Sequence, residues 1–410
     1  TGTMGLRPRT ALEKKESNVP LDLGPISRQV DDMARGIVDL LPANKRFLER
    51  AQALLRSIDA DALRLKLNEH RRRQTRIPWL VAEPCGSLSG AVPAALPPSD
   101  FCVAGTDSSS IPLDRHSSIR YYVLNVGYAL LTYGSRPDAV LKASGQLSFR
   151  DEDLYAFPEK QDAPIEGVLL SVRMEVEALR IVEQAVRHLA RPTVVLCDGP
   201  LTLWMLQNES NKVQQVLLRG FLDAMTLLRQ AGVPLGGYVS YTSAREVANA
   251  LRVWICPGQP DECAHCQSSD RDLCQALAKI RDRDLFAFLA KGERSDLFSS
   301  SSQVLEQYGE HRMAFFYLNV GEEIARVEVP QWVASDADLL GFLHAGICDQ
   351  CERSSSFPPY PPALQEAHEQ AVITVVERRV IEGMVEKALA QLGQRVTRSA
   401  KDDSKRRRGV

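Results

Sequence analysis

The amino-acid sequence predicts an α/β fold in which a mixed β-sheet is flanked by helices. The first observation behind this prediction is a run of three apolar segments, the last two of them separated by a short turn, which is typical of consecutive antiparallel strands. These segments are residues 101–105, 119–133 and 139–149. The second observation is a later alternation of helical and strand-like segments, which is typical of parallel strands joined by helices. It runs through residues 167–189, 193–198, 208–230 and 236–241.

Each element of this core has its own signal. The segments 119–133 and 139–149 are separated by GSRPD, whose glycine and proline predict a turn. Apolar residues between Val168 and Leu189 recur every three or four positions, which predicts an amphipathic helix, and TVVLCD (193–198) has the apolar content of a buried strand. Three antiparallel strands followed by alternating helices and parallel strands is the order of an RNase H-like domain.

The composition is that of an ordinary globular protein. The 410 residues are 44% hydrophobic and 25% charged, so the chain can bury a sizeable core, and its formal net charge is -2. Any contact with nucleic acid must therefore come from local basic surface. No apolar run approaches the roughly 18 residues that a membrane span needs, and the first residues lack the apolar centre of a signal peptide. We expect a cytoplasmic protein.

Composition along the chain predicts its domain organisation. Residues 1–25 are polar and predicted to be a disordered tail, residues 26–80 a helical segment, and residues 81–100, dense in Pro, Gly and Ser, a linker. The core is expected over residues 101–394, ending in a helix. A tail over residues 395–410, with a net charge of +5, could bind a phosphate backbone or simply be solvated.

Two aspartates predict the chemistry of this core. Asp107 in GTDSSS and Asp198 in LCDGPL each lie where an apolar strand is expected to end. Mg²⁺ and Mn²⁺ prefer carboxylate oxygens, and two such ions about 3.5–4 Å apart can clamp a phosphodiester. Each aspartate alone is more typical of a turn. Together, in this topology, they predict a metal-dependent nuclease site.

The helix between the two aspartates offers a third carboxylate. At about 100° per residue, Glu175 lies roughly 60° from the centre of the apolar face and Glu177 roughly 140° from it. Glu183 is in phase with the apolar face but lies toward the opposite end of the sheet. We therefore favour Glu175, with Glu177 as the alternative, although surface solvation is the usual fate of a glutamate.

The chain resembles the NurA family of DNA-repair nucleases, of the bacterial type with a four-cysteine insertion. The resemblance covers roughly residues 100–410, and its most specific motif is YPPALQEAHEQAV (360–372). The other motifs are GTDSSSI (105–111), RYYVLNVG (120–127), LCDGPL (196–201), GYVSY (237–241), GERSDLF (292–298) and MAFFYLNVGEEIARVEVPQW (313–332).

The resemblance implies a catalytic set at Asp107, Glu175, Asp198, Tyr360 and His368, with the three carboxylates and His368 binding catalytic Mn²⁺ or Mg²⁺. It also implies a 5′ to 3′ exonuclease and single-strand endonuclease that acts on DNA ends in repair. Such an enzyme would work as a homodimer with the hexameric ATPase HerA. The residues themselves allow these roles, since a histidine can shuttle a proton to a leaving oxygen and a tyrosine can orient a phosphate or water.

Four cysteines form a second candidate metal site, in a polar insertion at residues 256–274. Cys256, Cys263, Cys266 and Cys274 give the spacing C-x6-C-x2-C-x7-C. A bound metal would stabilise a segment with so few apolar residues, and four thiolates suit a structural zinc or a 4Fe–4S cluster. The pair Cys348 and Cys351 has no further cysteine nearby, so we interpret both as free thiols.

Two other classes of function remain open at this point. One is a catalytically silent subunit that binds DNA for a translocase. The other is an actin-like phosphotransferase, because GTDSSS superficially resembles the phosphate-binding turn of that fold. In that turn glycine normally follows the aspartate, whereas Gly105 precedes Asp107 here, and no Walker-type loop is present.

Overall fold

The computed structural model describes residues 23–75, 77–114, 118–258, 260 and 266–394. The chain divides after Phe47 into two compact units, Thr1–Phe47 and Leu48–Val410. The second unit contains the whole sheet. The tail predicted at residues 395–410 lies outside the described ranges. Of the tail predicted at residues 1–25, only residues 23–25 lie within them. None of the described helices is long and apolar enough to cross a membrane.

The N-terminal helices are α1 (Leu23–Ser57) and α2 (Ala60–Arg72). Asp59 separates the two helices and caps the second, because its carboxylate accepts hydrogen bonds from the backbone N–H groups of Asp61 and Ala62. The apolar side chains Leu63 and Leu67 of α2 are buried.

Across the described residues, the main sheet has eleven strands. Its first three strands along the chain are β1 (Ala82–Pro84), β2 (Ala91–Pro93) and β3 (Phe101–Ile111), and β3 contains Asp107. The others are β4 (Tyr122–Tyr133), β5 (Asp138–Ser148), β8 (Thr193–Asp198), β9 (Leu235–Val239), β10 (Glu293–Ser295), β11 (Phe298–Ser300), β12 (Met313–Asn319) and β13 (Ile324–Pro330). A separate small hairpin pairs β6 (Tyr155–Phe157) with β7 (Asp162–Pro164).

The order of the core strands confirms the RNase H-like prediction. They lie in the order β5-β4-β3-β8-β9, with β4 antiparallel to its neighbours and β8 and β9 parallel to β3. Beyond β9 the sheet continues with antiparallel strands, β13, then β12 and β11. This extension buries the aromatic side chains of Phe315, Phe316 and Tyr317.

The segment 81–100 is not a simple linker, which corrects the expectation from its composition. Within it, β1 pairs with β11 and β2 pairs with β10, so both strands belong to the main sheet. Proline and glycine predicted a connection because they weaken central strands, but proline is tolerated on short edge strands. Pro84 and Pro93 are the last residues of these two strands.

Helices cover both faces of the sheet. On one face α4 (Val168–Val186) and α5 (Asn211–Gln230) pack against a core that includes Cys102, Ala104 and Cys197. On the other face α10 (Ala337–Arg353) and α11 (Pro362–Ala371) pack against Val103 and Leu196. The remaining helices are α3 (Asp151–Leu154), α6 (Glu246–Ile255), α7 (Arg271–Leu277), α8 (Asp282–Leu285), α9 (Gln331–Ala334) and α12 (Val375–Gln391).

His344 on α10 is buried as a neutral side chain. It is only 2% exposed, and its Nε2 lies 3.0 Å from the carbonyl oxygen of Gly292. Burial, reinforced by the nearby charge of Arg294, lowers the pKa of His344 from 6.5 to about 4. The unfolded chain therefore takes up a proton near pH 6.5, whereas the folded chain resists protonation until near pH 4.

We expect this difference to make the protein acid-sensitive. The stability that depends on neutral His344 is fully present above pH 6.5 and is lost as the pH falls from 6.5 to 4, up to about 3 kcal/mol. Urea unfolding at several pH values should show that the free energy of unfolding falls less between pH 6.5 and 4 in His344→Gln than in the natural protein. The glutamine amide can still donate to Gly292. The exposed His188 is the control. If the free energy of unfolding of His188→Gln fell as little with pH as that of His344→Gln, His344 would not be the cause of the acid sensitivity.

Candidate active site

The two predicted aspartates lie side by side on adjacent parallel strands. In the register of β3 and β8, Thr106 pairs with Cys197, and these residues immediately precede Asp107 and Asp198. Asp198 is the last residue of its strand, as predicted. Asp107 is not, because β3 continues along β4 to Ile111. After Thr106, β3 pairs with β4 but no longer with β8. The strand edge that faces away from β4 therefore leaves room for a site beside Asp107.

His368, on α11, reaches Asp107 from 261 residues further along the chain. Its Nδ1 lies 2.7 Å from Oδ2 of Asp107, while Oδ1 accepts the backbone N–H of Ser108 at 2.7 Å. Since an ionised carboxylate can only accept, Nδ1 carries the proton and the exposed ring keeps Nε2 free for a proton or a metal ion. The structure therefore joins two of the predicted site residues directly.

Two glycines allow α11 to lie directly on the sheet. A Cβ atom at Gly105 would come within 3.0 Å of the backbone of Ala363, and one at Gly127 within 3.0 Å of the backbone of Ala367. Gly105 lies on β3 and Gly127 on β4, so a side chain at either position would push the helix outward. The close approach brings His368 to Asp107.

The C-terminal end of α11 is fixed by polar side chains of the same strands. Asn125 on β4 donates from Nδ2 to the carbonyl oxygens of Gln370 and Ala371, each at 2.9 Å, and the hydroxyl of Ser109 also donates to Ala371. Sequence reasoning missed these positioning residues. The sequence did contain a signal for them, because Ser109 lies in the motif GTDSSSI (105–111), and Asn125 and Gly127 lie in the motif RYYVLNVG (120–127).

Tyr360 contacts Asp198 at the other side of the site. Its hydroxyl donates to the Asp198 carboxylate, and its ring packs edge-on against Tyr238, with centroids 5.5 Å apart. Burial and the negative charge of Asp198 both raise the pKa of Tyr360, so the phenol stays protonated. Burial likewise raises the pKa of Asp198, while the hydrogen bond from Tyr360 opposes that shift.

Glu175 completes a group of three carboxylates. Burial and the charges of Asp107 and Asp198 raise its pKa to about 8, which requires all three side chains to be close together. Glu177 has a different partner: it is half-buried and forms an ion pair with Arg180 at 2.6 Å. Of the glutamates considered on this helix, Glu175 is the one that the structure places with the aspartates.

The chemistry of this group fits a hard divalent cation. Asp107 and Asp198 both raise the pKa of Glu175, so a bound cation would offset the repulsion among the three carboxylates, and oxygen ligands are those that Mg²⁺ and Mn²⁺ prefer. Within the described ranges, however, no three His, Cys, Asp or Glu side chains are arranged so that they could hold a metal ion together. Asp107 is engaged by His368 and Asp198 by Tyr360 instead.

The four-cysteine site stays a prediction. Cys256, Cys266 and Cys274 are described as free thiols, at the end of α6, in a loop and in α7. Cys263 lies outside the described residues. Cys348 and Cys351 on α10 form no disulfide, and Cys102 and Cys197 are buried in the core.

Comparisons with known proteins point to one family. The family model of the NurA domain matches residues 102–373. Among solved structures, the NurA nuclease from Sulfolobus solfataricus is similar over 89% of this chain and 98% of its own, with 13% identity and a TM-score of 0.45. LC9-RNase H1, a type 1 RNase H with the type 2 active-site motif, covers 37% of this chain and 69% of its own, with 12% identity and a TM-score of 0.20.

The family model carries the assignment. The two structural likenesses have TM-scores too low to support an argument of their own. No curated protein matches the sequence.

Proposed function

Because this chain belongs to the NurA family, we propose that it is a metal-dependent nuclease that hydrolyses phosphodiester bonds of DNA. The observation that carries the proposal is the meeting of Asp107, Glu175 and Asp198 from three separate elements, with His368 and Tyr360 in contact with the two aspartates. A buried group of like charges costs free energy and is typical of a functional site.

Each side chain has a role that its contacts support. The three carboxylates would hold the cation, which supplies positive charge to the phosphodiester and activates water when bound. His368, oriented by its bond to Asp107, would carry a proton on Nε2 to or from the reacting oxygens. Tyr360 would keep the Asp198 carboxylate in place through its hydrogen bond, as partners of metal ligands commonly do.

The finer parts of the proposal rest on the resemblance. They are a two-metal mechanism with Mn²⁺ or Mg²⁺, 5′ to 3′ exonuclease and single-strand endonuclease activity, and a role in DNA end resection with a HerA-type translocase. A homodimer and a cytoplasmic location belong to the same proposal, as does a structural zinc or 4Fe–4S cluster at the four-cysteine insertion.

A cleavage assay tests the function. Purified protein incubated with 5′-labelled single-stranded DNA and Mn²⁺ should shorten the label-bearing strand, and EDTA in a parallel sample should stop the reaction, because carboxylates alone cannot activate the water. Intact DNA after incubation with folded, Mn²⁺-loaded protein would favour the catalytically silent subunit over the nuclease.

A further inference from the structure

A cleft of about 550 Å³ lies next to the loop that follows Asp198, since Pro200 and Trp204 both line it. Its wall includes Pro200, two residues after Asp198, and Val239, whose side chain points to the opposite face of the sheet from that of the preceding Tyr238. The cleft therefore lies at the same edge of the sheet as Asp198, on the face opposite Tyr238. The half-buried ring of Trp204 forms another part of the wall. The proposed chemistry makes no use of this space.

A second cleft, of about 630 Å³, continues from the first. The two share Leu80, and the second is lined by Gln207, which belongs to the same short 3-10 helix as Trp204. Another half-buried aromatic side chain, Trp79, lines this second cleft, with the Arg252 guanidinium 3.6 Å from its ring centroid. The two clefts adjoin at Leu80, and we refer to them together as the groove.

An exposed tyrosine lies beside residues that line the first cleft. Tyr241 lies between Val239 and Thr242, which both line the first cleft, and it is 68% exposed. Its backbone has a φ of 45°, which is rare for a bulky residue, and such strain is typical of functional positions. Arg283 lies 3.5 Å from the ring centroid and donates to the Tyr241 carbonyl at 2.9 Å, so the ring is held in place.

The wall of the first cleft also contains an unsatisfied buried acceptor. Glu246 is 5% exposed, and its Oε1 accepts from Arg326 at 2.6 Å, but Oε2 has no hydrogen-bond partner in the described part of the chain. An unpaired buried acceptor costs about 1–3 kcal/mol. A donor from outside the chain, bound in the cleft, would remove that cost.

We propose that this groove binds single-stranded DNA through its bases. The proposal rests on the proposed nuclease function. Charged side chains in the first cleft are balanced, with Arg245 and Arg326 against Glu246 and Glu328, so phosphate attraction is weak there. Aromatic rings can stack with any base, at about 1–3 kcal/mol per base. Trp204, Trp79 and Tyr241 provide such rings along the groove, and Glu246 accepts from a base amino group.

The test compares DNA with and without bases. Binding of fluorescein-labelled (dT)12 to the full chain is measured by anisotropy in EDTA, which prevents cleavage, beside a 12-nucleotide abasic strand with the same phosphates. We expect (dT)12 to bind at least about tenfold more tightly than the abasic strand. Trp204→Ala and Tyr241→Ala should each weaken (dT)12 binding about 5- to 100-fold and leave abasic binding unchanged.

Matched variants keep the test independent of folding. Trp204→Phe and Tyr241→Phe retain a ring and should retain most of the affinity. Phe149→Ala should have no effect: Phe149 is also exposed and paired with an arginine, but it follows β5, four strands away from β9. Tyr241 is exposed, so its alanine variant remains informative if Trp204→Ala fails to fold.

Three outcomes would overturn the groove proposal: no binding of (dT)12, equal binding of the abasic strand, or full affinity in both alanine variants. Each of these outcomes would favour a protein partner, and not DNA, as the ligand of the groove. Failure of the nuclease proposal looks different. In that case the protein binds bases through these rings but does not cleave DNA when Mn²⁺ is added.

Discussion

Replacing Glu175 with glutamine should lower the rate of Mn²⁺-dependent DNA cleavage at least about a thousandfold, equivalent to about 4 kcal/mol of transition-state stabilisation. The substitution keeps the size of the side chain but removes one of three clustered carboxylates, and so one negative ligand of the proposed cation. Glu175 is also the group whose pKa is raised to about 8 by burial and by Asp107 and Asp198. Without metal, the glutamine variant should therefore be at least as resistant to heat as the natural protein.

The matched control lies on the same helix, two residues further on. Glu177 is paired with Arg180 at 2.6 Å and takes no part in the carboxylate group, so Glu177→Gln should keep the cleavage rate within about threefold. Single-turnover cleavage of labelled single-stranded DNA, with melting temperatures for each variant, measures both effects. Equal rates for Glu175→Gln and the natural protein would remove Glu175 from the proposed catalytic set, and a severe loss in Glu177→Gln would exchange the two roles.

The order of the core strands could be predicted because each strand and helix carries a local signal. Alternating apolar segments with short turns define β3, β4 and β5, and the amphipathic helix before β8 makes a parallel crossover the natural connection. Pairing beyond the core could not be predicted in this way. The strand at residues 82–84 has three residues, and its partner, β11, lies more than 200 residues away. Only the tertiary fold decides whether such a segment is a strand or a connection.

The candidate site was accessible from the sequence to the extent that helical phase and strand ends determine it. Phase favoured Glu175 over Glu177, and the structure places Glu175 with the aspartates. Strand ends were a poorer guide for Asp107, because the length of β3 is set by β4 and not by its own apolar residues. The approach of α11 to the sheet depends on the absence of side chains at Gly105 and Gly127, and a single sequence gives no sign of what those glycines face.

That approach leads to the second large expected effect. Gly127→Ala should lower the cleavage rate about tenfold to a hundredfold and the free energy of unfolding by about 1–3 kcal/mol. The new Cβ would come within 3.0 Å of the backbone of Ala367 and Ala371, and neither backbone atom can rotate away as a side chain can. The helix must therefore move outward. That movement would lengthen the 2.7 Å contact between His368 and Asp107 and misplace the imidazole.

Gly145→Ala is the matched control, because Gly145 lies on the neighbouring strand β5, where an added Cβ meets only Asn125 Oδ1 at 4.0 Å. We expect its cleavage rate and stability to stay close to those of the natural protein. Denaturant unfolding and single-turnover cleavage on the same preparations separate the two consequences of the clash. A Gly127→Ala protein that is destabilised but cleaves at the normal rate would show that the contact of α11 with the sheet serves the fold alone. In that case the pairing of His368 with Asp107 would have no part in catalysis.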